Sequence, residues 1–141
     1  MIDKIEVTID VIVHATEDIS KIFQAFELLN LKKEDFTIHE TTGYFENPIT
    51  MLNAKIVKKE AENFMKKLLG LLSHQQINEL IEEIEERTVD SRFHMRLDKQ
   101  ELIKGNVVIR EKDTIKIKIH TPIYNKKETV KTFTEIFQIA T

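Results

Sequence analysis

The chain has 141 residues, 41% of them hydrophobic and 32% charged, with a formal net charge of −3 and no cysteine. That size suits a single domain, residues 1–141, that buries a core unaided; the lack of cysteine excludes disulfides and thiolate metal sites and fits the cytoplasm, and no run nears the roughly 18 apolar residues of a membrane helix. The charge is polarised: residues 1–91 hold 10 Lys/Arg against 18 Asp/Glu and residues 92–141 hold 11 against 6, which points to an anionic partner for the basic part.

Residues 5–13 alternate, with Ile5, Val7, Ile9, Val11 and Val13 on one side and Glu6, Thr8 and Asp10 on the other, the pattern of a half-buried strand. Thr16 is then the expected N-cap of a helix over 17–30, with Glu17 and Asp18 in the first turn, where the helix dipole favours negative charge. Ile19, Ile22, Phe23, Phe26 and Leu29 give that helix its apolar stripe. A second strand over 35–45 and a third over 49–57 flank the turn Glu46-Asn47-Pro48 and predict a hairpin. Helical spacing resumes over 58–72, and Ser73 with Gln76 matches the capping box of the helix that follows. That helix carries Glu82, Glu83, Glu85 and Glu86 on its outer side.

Phe93, Met95 and Leu97 alternate with Arg92, His94 and Arg96 in a fourth strand. Gly105 precedes an expected fifth strand at 106–110, and Lys112-Asp113 turns the chain into a sixth, where Ile115, Ile117 and Ile119 alternate with Lys116, Lys118 and His120. A C-terminal helix is expected over 126–140. The order β-α-β-β-α-α-β-β-β-α, with strands and helices in clusters, argues for an α+β fold: a mixed, mainly antiparallel sheet with helices on one face and the other open to solvent.

The outward residues of the last strands, Arg92, His94, Arg96, Arg110, Lys116, Lys118 and His120, should share that open face and form a cationic platform for phosphates. The plainer alternative is that these charges pair with Glu6, Asp10 and Glu40, in which case they would do no more than solvate the sheet. With few aromatic residues among them, backbone or shape recognition of structured RNA fits better than stacking of single strands. Arg96-Leu97-Asp98-Lys99-Gln100 ends a strand and starts a turn or short helix that Asp98 can cap. Lys99 and Gln100 have no such duty, and side by side they could hold a phosphate and a base edge or ribose hydroxyl. His14-Ala15-Thr16-Glu17-Asp18 sets a histidine beside two carboxylates, so acid–base chemistry has to be weighed; cap chemistry accounts for its last three residues, and His14 is left over. The five histidines show no metal-binding spacing, and no phosphate loop or nucleophile motif is present, so neither metal nor cofactor is expected.

His14-Ala15-Thr16-Glu17-Asp18, Gly43-Tyr44-Phe45-Glu46-Asn47-Pro48-Ile49, and Arg96-Leu97-Asp98-Lys99-Gln100 with Gly105 together resemble, over residues 4–121, the small archaeal proteins described as predicted RNA-binding proteins or predicted exosome subunits. Tyr44 and Glu46 depart from that family's pattern at the hairpin turn, where His and Gly are usual. The resemblance implies a fold like that of the L-five-type ribosomal protein and a non-catalytic, RNA-binding role beside an archaeal exosome or other RNA-processing complex. Arg92, Arg96, Lys99, Arg110, Lys116 and Lys118 would then meet phosphate, with Gln100, Asn47 and His14 as polar contacts. The rival reading is a protein–protein adaptor with no direct RNA contact, its basic face on an acidic subunit and its acidic helix on a basic one. The sequence leaves a homodimer open.

Overall fold

The computed structural model describes residues 4–43 and 47–138. Its elements are β1 (Glu6–His14), α1 (Ile19–Glu27), β2 (Phe36–Thr42), β3 (Pro48–Val57), α2 (Lys58–Leu71), α3 (His74–Glu82), α4 (Ile84–Arg87), β4 (Thr88–Val89), β5 (Arg92–Asp98), α5 (Lys99–Ile103), β6 (Thr114–His120) and α6 (Thr129–Phe137). The six strands form one sheet in the order β2-β3-β1-β6-β5-β4, and every pairing is antiparallel. Side chains alternate across each strand. Val7, Ile9 and Val11 of β1, Phe93, Met95 and Leu97 of β5 and Ile115, Ile117 and Ile119 of β6 therefore point together to one face and are buried. The helices cover that face. Phe93 meets Phe133 and Phe137 of α6 at centroid distances of 5.7 and 4.8 Å, and Phe36 of β2 meets Phe23 and Phe26 of α1 at 5.8 and 4.8 Å. Phe64, Met65 and Leu68 of α2 complete the core. Phe23 and Ile81 pack against it while partly exposed.

The expected α+β architecture is what the chain adopts, with local corrections. Asp18, not Thr16, caps α1: its Oδ1 accepts the Ser20 N–H at 3.0 Å, so the helix starts at Ile19. Glu17 thus lies outside the helix and is free to work elsewhere. At the other end Asn30 takes φ 62° and lets the Leu31 N–H reach back to the Phe26 carbonyl (3.1 Å), closing the helix early. The Ser73–Gln76 capping box is present, its two bonds at 3.1 and 2.8 Å.

Residues 106–110 do not form the expected fifth strand. They touch β5 through one bridge, Leu97 to Ile109, and two backbone bonds, Asp98 N–H to Val108 O and Arg110 N–H to Arg96 O. Gly105, at φ 92°, is spent leaving α5, and the turn into β6 begins at once, so the segment is too short for a ladder. The two-residue β4 pairs with the other end of the same β5 edge. The last helix is α6, preceded by a 3-10 turn at Lys126–Glu128. The hairpin residues Tyr44, Phe45 and Glu46 lie outside the described residues, as does the expected end of the last helix.

Candidate functional site

The open face of the sheet is laid out by register. Arg92, His94 and Arg96 of β5 stand directly opposite His120, Lys118 and Lys116 of β6. Across β6, Lys118 and Lys116 face Thr8 and Asp10 of β1, and these face Lys55 and Asn53 of β3. Neighbouring strands lie about 4.8 Å apart and alternate residues of one strand about 6.7 Å, so six cationic or titratable side chains occupy a patch roughly 13 Å long and two strands wide.

Among the described residues the carboxylates of β1 form no ion pair with this patch. Glu6 pairs with Lys55 at 3.4 Å, and Asp10 Oδ1 accepts the Asn53 amide at 2.6 Å, both on the side away from β6. Glu40 lies on the other face, because it pairs with Thr50 while its neighbour His39 pairs with Met51. Among the described residues Lys116 and Lys118 make no ion pair. Arg92 and Arg96 each donate one bond to a backbone carbonyl, to Asp90 and Glu111, which aims the guanidinium and leaves most of its donors free. Burial and then the charges of Lys118, Arg92 and Arg96 hold the His94 imidazole below its ordinary pKa. A base resists protonation there because burial disfavours its charged form and the surroundings are already positive.

Lys99 does not join the patch. Its side chain is 1% exposed, and its ammonium donates to Ile12 O at 2.7 Å, Glu17 Oε1 at 2.8 Å and Asp113 Oδ1 at 3.2 Å. All three of its hydrogens are committed, so none is left for a phosphate. Gln100 Nε2 donates to Glu17 Oε2 at 2.9 Å, and the same carboxylate accepts the His14 N–H at 2.9 Å. The two sequence motifs thus meet through Glu17, and the meeting ties the end of β1 to the start of α5. The duty that the sequence did not assign to Lys99 and Gln100 is structural. Burial alone would raise the Glu17 carboxyl, but the Lys99 ammonium with the His14 N–H and Gln100 amide outweigh it and hold that pKa below the usual value.

The remaining candidates are dispersed. The His14 side chain is half exposed at the far end of β1, its Nε2 3.7 Å from Asp113 Oδ1. Arg110 is bound to Asp98 Oδ2 at 2.8 Å, beside the carboxylate oxygen that caps α5. Asn47 is exposed at the hairpin, six residues along β3 from the Lys116 row, or about 20 Å. Among the described residues no group of three or more His, Asp or Glu is arranged to hold a metal ion, and no helix is long and apolar enough to cross a membrane.

Register also exposes a groove that the sequence reading missed. Ile12, Met51 and His39, from β1, β3 and β2, share the row beside Asp10 and Asn53. They line a cleft of about 350 Å³ that reaches Lys116 and Lys118. Ile12 and Met51 lie 39 positions apart in the chain, so no local motif announces it.

A family model described as RNA binding matches residues 6–121. RNA-binding protein PAB1135 of Pyrococcus abyssi is 36% identical over 127 residues, covering 84% of this chain and 82% of that protein. Uncharacterized protein MJ0213 of Methanocaldococcus jannaschii is 35% identical over 137 residues, covering 89% and 91%. Among solved structures, protein AF2318 from Archaeglobus fulgidus superposes with a TM-score of 0.80 at 26% identity, over 94% of this chain and 99% of that one. Mth689 from Methanothermobacter thermautotrophicus, a DUF54 protein, gives a TM-score of 0.73 at 27% identity over 96% and 99%.

Proposed function

The chain belongs to the RNA-binding family, and from that membership we propose that it binds RNA directly through the open sheet face, with Arg92, Arg96, Lys116 and Lys118 against the phosphate backbone. The observation that carries the reading is the pair Lys116 and Lys118. Two lysines on one strand make no ion pair among the described residues, while Glu6 and Asp10 of β1 are bound to Lys55 and Asn53 of β3. Unpaired cations in a row favour a polyanion, because each phosphate they meet releases condensed counterions. Relative PAB1135 carries the name RNA-binding protein, which supports the same reading.

The role is binding rather than catalysis. Glu17 and Lys99 are committed to each other, so the motif carboxylate nearest the Lys99 ammonium serves structure rather than acid–base chemistry. Service beside an exosome or another RNA-processing complex rests on the resemblance of the motifs and extends the same proposal. The test is affinity for a structured RNA, read by fluorescence anisotropy. Replacing Lys116 and Lys118 together by Ala should weaken binding about tenfold or more, whereas replacing Lys32 and Lys33, far along the chain and off this patch, should change it less than twofold. Equal loss from both pairs, or no RNA binding by the wild type, would remove the sheet face from consideration and leave a protein adaptor as the better reading.

A further inference from the structure

We propose that the groove formed by Ile12, Met51 and His39 seats one unpaired guanine base of the RNA whose backbone lies on Lys116 and Lys118; this rests on the RNA-binding reading above and adds a sequence preference to it.

Three observations converge on a base. First, Ile12 and Met51 are 42% and 44% exposed, directly opposite each other on the open face, with the His39 ring next in the row. Two large apolar side chains and an imidazole in one row offer an exposed apolar surface for the face of a base. Second, the cleft of about 350 Å³ lies in the lower range of small-molecule sites, and Lys116 and Lys118 are among its lining, so a phosphate held by them brings its base beside the row. Third, the edge of the groove is selective. Asp10 uses Oδ1 to accept the Asn53 amide at 2.6 Å, which leaves Asp10 Oδ2 and Asn53 Oδ1 without a protein partner among the described residues. Both are acceptors. Guanine alone among the four RNA bases presents two adjacent N–H donors, N1 and N2, on its pairing edge. Adenine, cytosine and uracil each set an acceptor against one of the two oxygens.

A base can enter only if it is unpaired, so the RNA must carry a bulge, a loop or a free end. The reading made from composition, that few aromatics imply recognition of structured RNA, applies to the cationic patch and not to this groove.

The experiment compares three RNAs by fluorescence anisotropy: a stem with one bulged guanosine, the same stem with a bulged adenosine, and the fully paired stem. Wild type should bind the guanosine bulge about tenfold tighter than either of the others. Replacing Ile12 and Met51 together by Thr should erase that advantage while leaving affinity for the paired stem and its salt dependence unchanged. Met51→Thr alone, at an exposed position that tolerates a small strand-forming residue, should erase part of it and guards against misfolding of the double variant. Asp10→Asn should make the two bulges equivalent. Equal wild-type affinity for all three RNAs, with salt dependence intact, overturns the guanine seat and leaves the backbone-binding reading standing. Binding to none of them overturns both.

Discussion

Lys99 shows how much one side chain's surroundings can change its meaning. A lysine beside a glutamine at a strand end has the composition of a phosphate contact, yet here its side chain is buried and its ammonium closes a network on Glu17 and the Ile12 carbonyl. Removing one partner of a buried pair strands the other, at about 3–5 kcal/mol. Lys99→Met should therefore lower unfolding free energy at neutral pH by about that amount, mostly through Glu17, since Asp113 is more than half exposed. The pH dependence has a definite sign. Because the folded state holds the Glu17 carboxyl below its ordinary pKa, its contribution is present above the unfolded value of about 4.3 and is lost as pH falls through the lower folded value. Urea denaturation should show the gap between wild type and Lys99→Met narrowing as the solution is acidified; a constant gap would mean that Glu17 is not the partner that matters. His94 offers the complementary readout on the open face. Bound phosphates favour its charged form, so its pKa, depressed in the free protein, should rise when RNA is added, and binding should tighten as pH falls toward about 6. An NMR titration of the imidazole in both states checks this.

At the scale of elements, what the sequence reveals follows from how local the determining contacts are. β1, β5 and β6 could be read from alternation because each is apolar on one side and polar on the other over seven residues or more. The capping box of α3 was legible for the same reason, its two bonds spanning three residues. The start of α1 was not, because Thr16, Glu17 and Asp18 all suit an N-terminus and the choice is made by distant Lys99, which draws Glu17 out of the helix. Asp18→Ala should accordingly lower the midpoint of chemical denaturation and Thr16→Ala leave it close to unchanged; the reverse order would make Thr16 the cap. The segment 106–110 has strand-like composition, but its pairing length is set by the turns on either side. Of the proposed contacts, the cationic rows could be drawn from alternation alone. The groove could not, since Ile12, Met51 and His39 become neighbours only through the pairings of β1 with β3 and β3 with β2.

The whole molecule is organised by its two faces. One side of the sheet is consumed by the core and its helices, with the exposed acidic residues Glu79, Glu82, Glu85 and Glu86 near that side's α3 and α4. The other side is left open, with cations over β5 and β6 and an apolar row over β1, β3 and β2. On the proposed reading such an arrangement would orient the protein on a polyanion, which the acidic helices would repel and the sheet would draw in. The most direct test of that orientation is the dependence of RNA affinity on salt, measured on a fully paired stem so that the groove plays no part. Contact of roughly three to four phosphates with Arg92, Arg96, Lys116 and Lys118 predicts a log–log slope of about −2 to −4 for wild type. The Lys116→Ala/Lys118→Ala protein should have a slope flatter by about one unit per lost contact. A wild-type slope near zero, or a slope unmoved by loss of the two lysines, would contradict binding through the open face.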